Sequence, residues 1–133
     1  MSELRTDTIT ASDGTSPVTL TKQYTAKSWV NVDGTGTIAI IQSGGISSIS
    51  DNGAGDFSIS HTNAFANSGY AVMGSKSYTG SGFVNPNSWW VKVRITDTLT
   101  TTSVRVTSGY TSDTGTGLQD SRYNAVINHG DLA

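Results

Sequence analysis

An all-β fold, a β-sandwich or jelly-roll-like module behind an extended N-terminal arm, is what this 133-residue sequence predicts. Three observations carry that expectation. Threonine (20), serine (19) and glycine (15) make up about two-fifths of the chain, a stock of small, hydroxylated and β-branched residues that favours strands and turns. Glutamate occurs once, at Glu3, and leucine five times, so good helix formers are scarce. Trp, Tyr and Phe recur throughout in alternating patterns, which a disordered Ser/Thr/Gly chain lacks. The same facts argue against a helical bundle or an α/β nucleotide-binding fold. The length fits one domain with a moderate apolar core.

Taken in order, residues 1–23 differ from the rest. The stretch Leu4-Arg5-Thr6-Asp7-Thr8-Ile9-Thr10 is β-prone but poor in large apolar groups, and Ser12-Asp13-Gly14 marks a turn. Val18 and Leu20 alternate with Thr19 and Thr21. A segment this polar buries little by itself and reads as an extended arm that docks on something else, with Leu4, Arg5 and Ile9 as its candidate anchors. The module proper then spans 24–133.

Tyr24 to Val32 is the first strand of the module, followed by the turn Asp33-Gly34-Thr35-Gly36. Thr37 to Gln42 holds the apolar run Ile38-Ala39-Ile40-Ile41, which predicts a strand covered on both faces. Segments 46–50 and 56–60 flank the turn signal Asp51-Asn52-Gly53-Ala54-Gly55-Asp56 and predict a hairpin. Residues 61–69 read as a loop, and Tyr70 to Tyr78 as a partly alternating strand. Asn87 to Thr96 carries the clearest alternation: Trp89, Val91, Val93 and Ile95 on one face, Trp90, Lys92 and Arg94 on the other. Ser103 to Thr107 is the next strand, 108–117 a long surface loop, and Tyr123 to Asn128 the last strand.

Charge and composition narrow the function. Eight basic and ten acidic residues give a formal charge of −2, with no basic footprint for nucleic acid. The longest apolar run is four residues, against roughly 20 for a membrane-spanning helix. The first thirty residues show no apolar signal-peptide core, so secretion by that route is not expected. With no cysteine, disulfides, thiolate metal sites and a cysteine nucleophile are excluded.

Candidate chemistry is thin. Asp51, Asn52 and Asp56 offer oxygen ligands, but an Asx-rich hairpin turn accounts for the same residues. His61 and His129 are the two histidines. A Ser-His-Asp nucleophile would need an elbow and an oxyanion donor, and no G-x-S-x-G motif is present; both histidines are expected at the surface or at an interface. The one glutamate lies in the arm, which argues against paired carboxylates for glycoside cleavage. Asp33, Asp51, Asp56, Asp97 and Asp113 sit beside Gly, Asn or Thr, where capping the backbone is the expected role. Gly34-Thr35-Gly36 and Gly80-Ser81-Gly82 are turns, since a phosphate cradle needs a following helix. No catalytic residue, cofactor or metal site is therefore assigned. The candidate receptor or interface residues are Trp89, Trp90, Tyr110 and Tyr78. Trp89 and Trp90 are adjacent in a strand and cannot enter one core together. The glycine-rich loops 79–87 and 108–118 are where binding contacts would sit.

Three stretches carry a resemblance to a known family. Ser2-Glu3-Leu4-Arg5-Thr6-Asp7-Thr8-Ile9 is similar to a short opening, and Ala26-Lys27-Ser28-Trp29-Val30-Asn31-Val32-Asp33-Gly34-Thr35-Gly36-Thr37 through Ser48 to an "A-K-A-W-V-N-F-x-G-T-G" strand-turn-strand. The latter continues into Ile49-Ser50-Asp51-Asn52-Gly53-Ala54-Gly55-Asp56-Phe57, similar to a "D-N-G-T-G-D-Y" hairpin. Asn124-Ala125-Val126-Ile127-Asn128-His129-Gly130-Asp131-Leu132-Ala133 resembles a "V-x-V-x-G-D-L" ending. In this order they resemble the small β-rich tail-fibre and virion-surface structural proteins of tailed bacteriophages, especially those of marine bacteria. The resemblance implies a homotrimer located on the virion, assembled in the host cytoplasm, and contacting other tail or capsid proteins. It implies a non-enzymatic, tail-fibre-type host-attachment module whose receptor is a host-surface glycan or protein. The alternatives are a capsid decoration protein and a stand-alone carbohydrate-binding module. No nucleic acid and no membrane insertion is expected.

Overall fold

The computed structural model describes residues 26–77, 88–94, 99–112 and 115–133. The arm 1–23, Tyr78, the loop 79–87, Asp97 and Asp113 lie outside the described residues. Among the described residues nine strands run in chain order: β1 (Ser28–Asp33), β2 (Ala39–Gly44), β3 (Ile46–Gly53), β4 (Asp56–His61), β5 (Ala71–Ser77), β6 (Ser88–Val93), β7 (Ser103–Ser112), β8 (Gly115–Leu118) and β9 (Tyr123–His129). Among the described residues there is no helix.

The strands form two antiparallel sheets, one in the order β2-β1-β9-β5 and the other β3-β4-β7-β6. β7 is long enough to take two partners along one edge. Its residues Ser103–Thr107 pair with β4 and Gly109–Ser112 with β8, while β6 occupies the opposite edge. The sheets pack face to face as a β-sandwich, in agreement with the expected class. Their edges are joined on both sides. β2 passes into β3 through the single residue Gly45, so the chain turns from one sheet to the other at a corner. Gly45 has φ +69°, and a Cβ there would stand 2.7 Å from the Lys27 carbonyl oxygen; only glycine fits both conditions. On the far side β5 lies against β6, with the backbone of Gly74 in contact with the Val91 side chain.

Alternation selects the core. Val30, Val32 and Val126 point inward from one sheet, and Phe57, Ile59, Val104 and Val106 from the other. Registers place Val30 opposite Val126, Phe57 opposite Val106 and Ile59 opposite Val104, so apolar pairs stack across neighbouring strands. The hairpin read from 46–50 and 56–60 is present as β3–β4, with Ile49 opposite Ile59. Trp89, Val91 and Val93 share one face of β6, as the alternation predicts; Val91 and Val93 pack against the core.

Two expectations are corrected, and a third, the loop 61–69, is kept. The strand carrying Ile40 and Ile41 is not covered on both faces: β2 is an edge strand, a bulge interrupts its pairing with β1 between Asn31 and Val32, and the two isoleucines are 37% and 47% exposed. Residues 108–117 are not a surface loop. β7 runs on to Ser112 and pairs with β8, and Ser108 is fully buried. The segment 61–69 does connect strands, but Phe65 drops from it into the core at 1% exposure. It is pinned there because the Phe65 N–H donates to the Thr101 carbonyl, the Ala66 N–H to Asp131 and the Ala133 N–H to Ala64.

Candidate functional site

Both ends of the sandwich interior are closed by polar networks, because strand residues in phase with the core valines are polar there. At one end, the Nδ2–H of Asn128 donates to Ser28 Oγ at 3.0 Å, and Ser28 Oγ lies 3.2 Å from Nδ1 of His61. Nε2 of His61 lies 3.3 Å from the Tyr70 hydroxyl, which donates to the Ser103 carbonyl at 3.0 Å. One assignment satisfies every donor in this chain. Tyr70 spends its proton on Ser103, so it accepts from Nε2–H, and Nδ1 accepts from Ser28. His61 is then neutral, and its burial lowers its pKa below the usual 6.5. Burial also pushes Tyr70 up to about 12. Phe65 stacks on Tyr70 at 4.1 Å and meets the His61 ring edge-on.

This corrects the expectation that His61 is a surface or interface histidine. Ser28 and His61 do meet, as a nucleophile and base would. Yet Ser28 is 2% and His61 7% exposed, and the ring's other partner is a phenol where a catalytic triad has a carboxylate. The pair holds the end of the core. His129, in contrast, stands exposed on the outer face of β9.

At the other end, Ser108 Oγ donates to Asn124 Oδ1 at 2.7 Å, and the Asn124 amide donates to the carbonyls of Ser121 and Val32. The Ser108 N–H donates to Gly55 O and its carbonyl accepts from Gln119, which bridges the gap between β4 and β8. A shallow cleft lies here, lined in part by Asp51, Gly53, Asp120 and Asn124.

The residues considered for a cation also serve the fold. Asp51 accepts from the Gly53 N–H at 2.9 Å, the turn chemistry expected of it, and the Asn52 amide N–H donates to the Ser58 hydroxyl across the hairpin. Asp33 caps Thr35 through both its N–H and its hydroxyl. Asp56 departs from the capping expectation. Its carboxylate is nearly buried and is held by Arg94 and by a two-pronged contact with Arg105, at 2.8 and 3.0 Å. The Arg105 hydrogen bond holds its pKa below the ordinary carboxylate value.

The candidate aromatics divide between two faces. Trp89 and Tyr110 stand directly opposite each other on β6 and β7, with ring centres 6.1 Å apart. The Lys76 ammonium sits 4.8 Å from the Trp89 ring centre and donates to the Gln119 carbonyl. Burial lowers the Lys76 pKa to about 8, against the pull of Asp120. Trp90 points to the outer face, where its ring lies against Gly109 and takes the Lys92 ammonium 4.8 Å from its centre. Tyr78 lies outside the described residues.

A further surface was not among the sequence candidates. Along the outer face of the first sheet, Trp29 stands opposite Ile127 and Ile127 opposite Met73. The three are 37%, 44% and 73% exposed. Ala71 and Ala125 lie on the same face, with Tyr123 at its end. The signal was present as alternation: each of these residues is out of phase with a buried neighbour, and each is apolar where a solvent-facing strand is ordinarily polar.

Compared with known proteins, the chain matches no family model, no curated protein and no solved structure.

Proposed function

We propose that this chain is a non-enzymatic structural protein on the surface of a tailed-bacteriophage virion, working as a tail-fibre-type host-attachment module. The observation that carries the reading is the resemblance of residues 26–57, the stretch that folds as β1 to the start of β4. The geometry supports its non-enzymatic part. Ser28, His61, Asp33, Asp51 and Asp56, the groups from which a site would be built, are each committed to a hydrogen bond or ion pair that holds the fold.

In this reading the chain is a homotrimer. Its arm anchors it to another virion protein or to a neighbouring subunit, and its free surface meets a host glycan or protein. Capsid decoration is the second reading, and the apolar outer face of β1, β9 and β5 favours it, since a decorating subunit lies flat on its neighbours. Immunogold labelling of the tailed particles with antibody to this chain tests both. Gold at the tail tip, in a few copies per particle, is the expected result. Gold spread over the head selects capsid decoration. Purified virions that lack the chain by mass spectrometry overturn the proposal.

A further inference from the structure

The two outer faces of the sandwich differ in character. The outer face of the second sheet carries Asp56, Arg105, Lys92 and Arg94, joined in ion pairs or stacked on Trp90, and such a face is at home in water. The outer face of the first sheet carries the row Trp29–Ile127–Met73, flanked by Ala71 and His129 on one side and by Asn31, Ala125 and Ser75 on the other. A contiguous apolar row on one face, beside a charged opposite face, marks a surface that something covers.

We propose that the cover is the N-terminal segment, residues 1–25, of a neighbouring copy of this chain. The described chain begins at Ala26, at the rim of this same face. There the Lys27 N–H already donates to the Asn128 carbonyl, so β1's pairing is under way as the chain enters. The segment has apolar residues to offer in strand phase, Val18 and Leu20, with Ile9 and Leu4 further out. Between Val18 and Lys27 there is no Gly, Pro, Asn or Asp, so nothing favours a reversal back over the chain's own Trp29. Drawn out at about 3.3 Å per residue, the seven residues from Lys27 to Leu20 would reach up to roughly 23 Å, long enough to meet an adjacent subunit. The inference rests on the proposed reading of the arm as an anchor in a homotrimer, and it names the face that the arm would cover.

Full-length protein tests it. Sedimentation equilibrium at micromolar concentration should show an assembly for the wild type. Met73→Asp should shift it to monomer with the melting temperature of the monomer unchanged, since Met73 is 73% exposed. A size-tagged Leu20→Cys chain, mixed with an untagged Met73→Cys chain and a short bismaleimide, should give the mixed cross-link. The absence of native cysteine keeps the readout clean. A monomeric wild type overturns the proposal. So does full assembly of Met73→Asp, or Met73–Met73 products without the mixed one, which would mean face-to-face pairing. Cross-linking confined within a doubly substituted chain would mean that the segment covers its own face, and also overturns it.

Discussion

His61 is a neutral imidazole enclosed by Phe65 and Tyr70 and hydrogen-bonded on both ring nitrogens. Protonation would put a second donor against the Ser28 hydroxyl, whose own proton then loses its acceptor. Because the folded pKa is depressed, the unfolded chain binds more protons than the folded one once the pH drops below about 6.5, and stability falls with pH from there to the folded value. The melting temperature should therefore decrease between pH 7.5 and pH 5.5. His61→Gln should flatten that dependence, while the exposed His129→Ala leaves it in place. A wild-type melting temperature that is constant over this range would show that His61 is not held neutral. Asp56 acts in a separate, more acidic window. Its pKa is held below the ordinary carboxylate value, so its contribution is present above about 3.8 and is lost as the pH falls through the folded value. Some of this was legible in the sequence: Ser28 is in phase with Val30, and His61 with Ile59. It went unread because hydropathy assigns serine, histidine and asparagine to the surface, and their burial depends on partners from distant strands. Ser28 and Asn128 are one hundred positions apart.

At the scale of the elements, alternation was enough wherever one face is apolar, as in β4 and β6. It failed where the buried residues are small or polar. β7 continues beyond Thr107 through Ser108, Gly109 and Tyr110, and those residues read as a loop until β6 and β8 supply their pairing. It also failed at close approaches, which have no signature in periodicity. Gly74 stands inward on β5, where the seam with β6 leaves no room for a side chain. A Cβ would fall 2.5 Å from Val91 Cγ1 and 2.6 Å from its Cβ. Gly74→Ala should destabilise by about 1–3 kcal/mol through overpacking. Val91→Ala removes the obstruction, so the double variant should lose less than the sum of the two single losses, because the residues are in contact. Urea unfolding of the four proteins measures the coupling. Strictly additive losses would show that the seam yields without cost.

For the molecule as a whole, the decisive fact is that every buried apolar side chain of the described core falls between Val30 and Val126. The prediction is that the sandwich folds without residues 1–22. Nine buried hydrophobic residues form a modest core, however, and one sheet still shows apolar side chains to the outside. On the proposal above, assembly would cover that face. A state stabilised by association has a melting temperature that rises with protein concentration, whereas a folded monomer has one that does not. Full-length protein should show that rise over a hundredfold range of concentration. A chain beginning at Gln23 should keep the near-ultraviolet circular dichroism of the packed sandwich and a cooperative transition, with a melting temperature that is lower and independent of concentration. The loss follows from burial: covering a side chain such as Leu20 or Ile127 contributes roughly 1.5–3 kcal/mol relative to leaving it in water. If the shortened chain fails to fold, the arm is part of the core and the division at residue 23 is wrong. If it folds but still melts at a concentration-dependent temperature, the copies join through some other surface, and the exposed Ile40 and Ile41 on the β2 edge become the place to look.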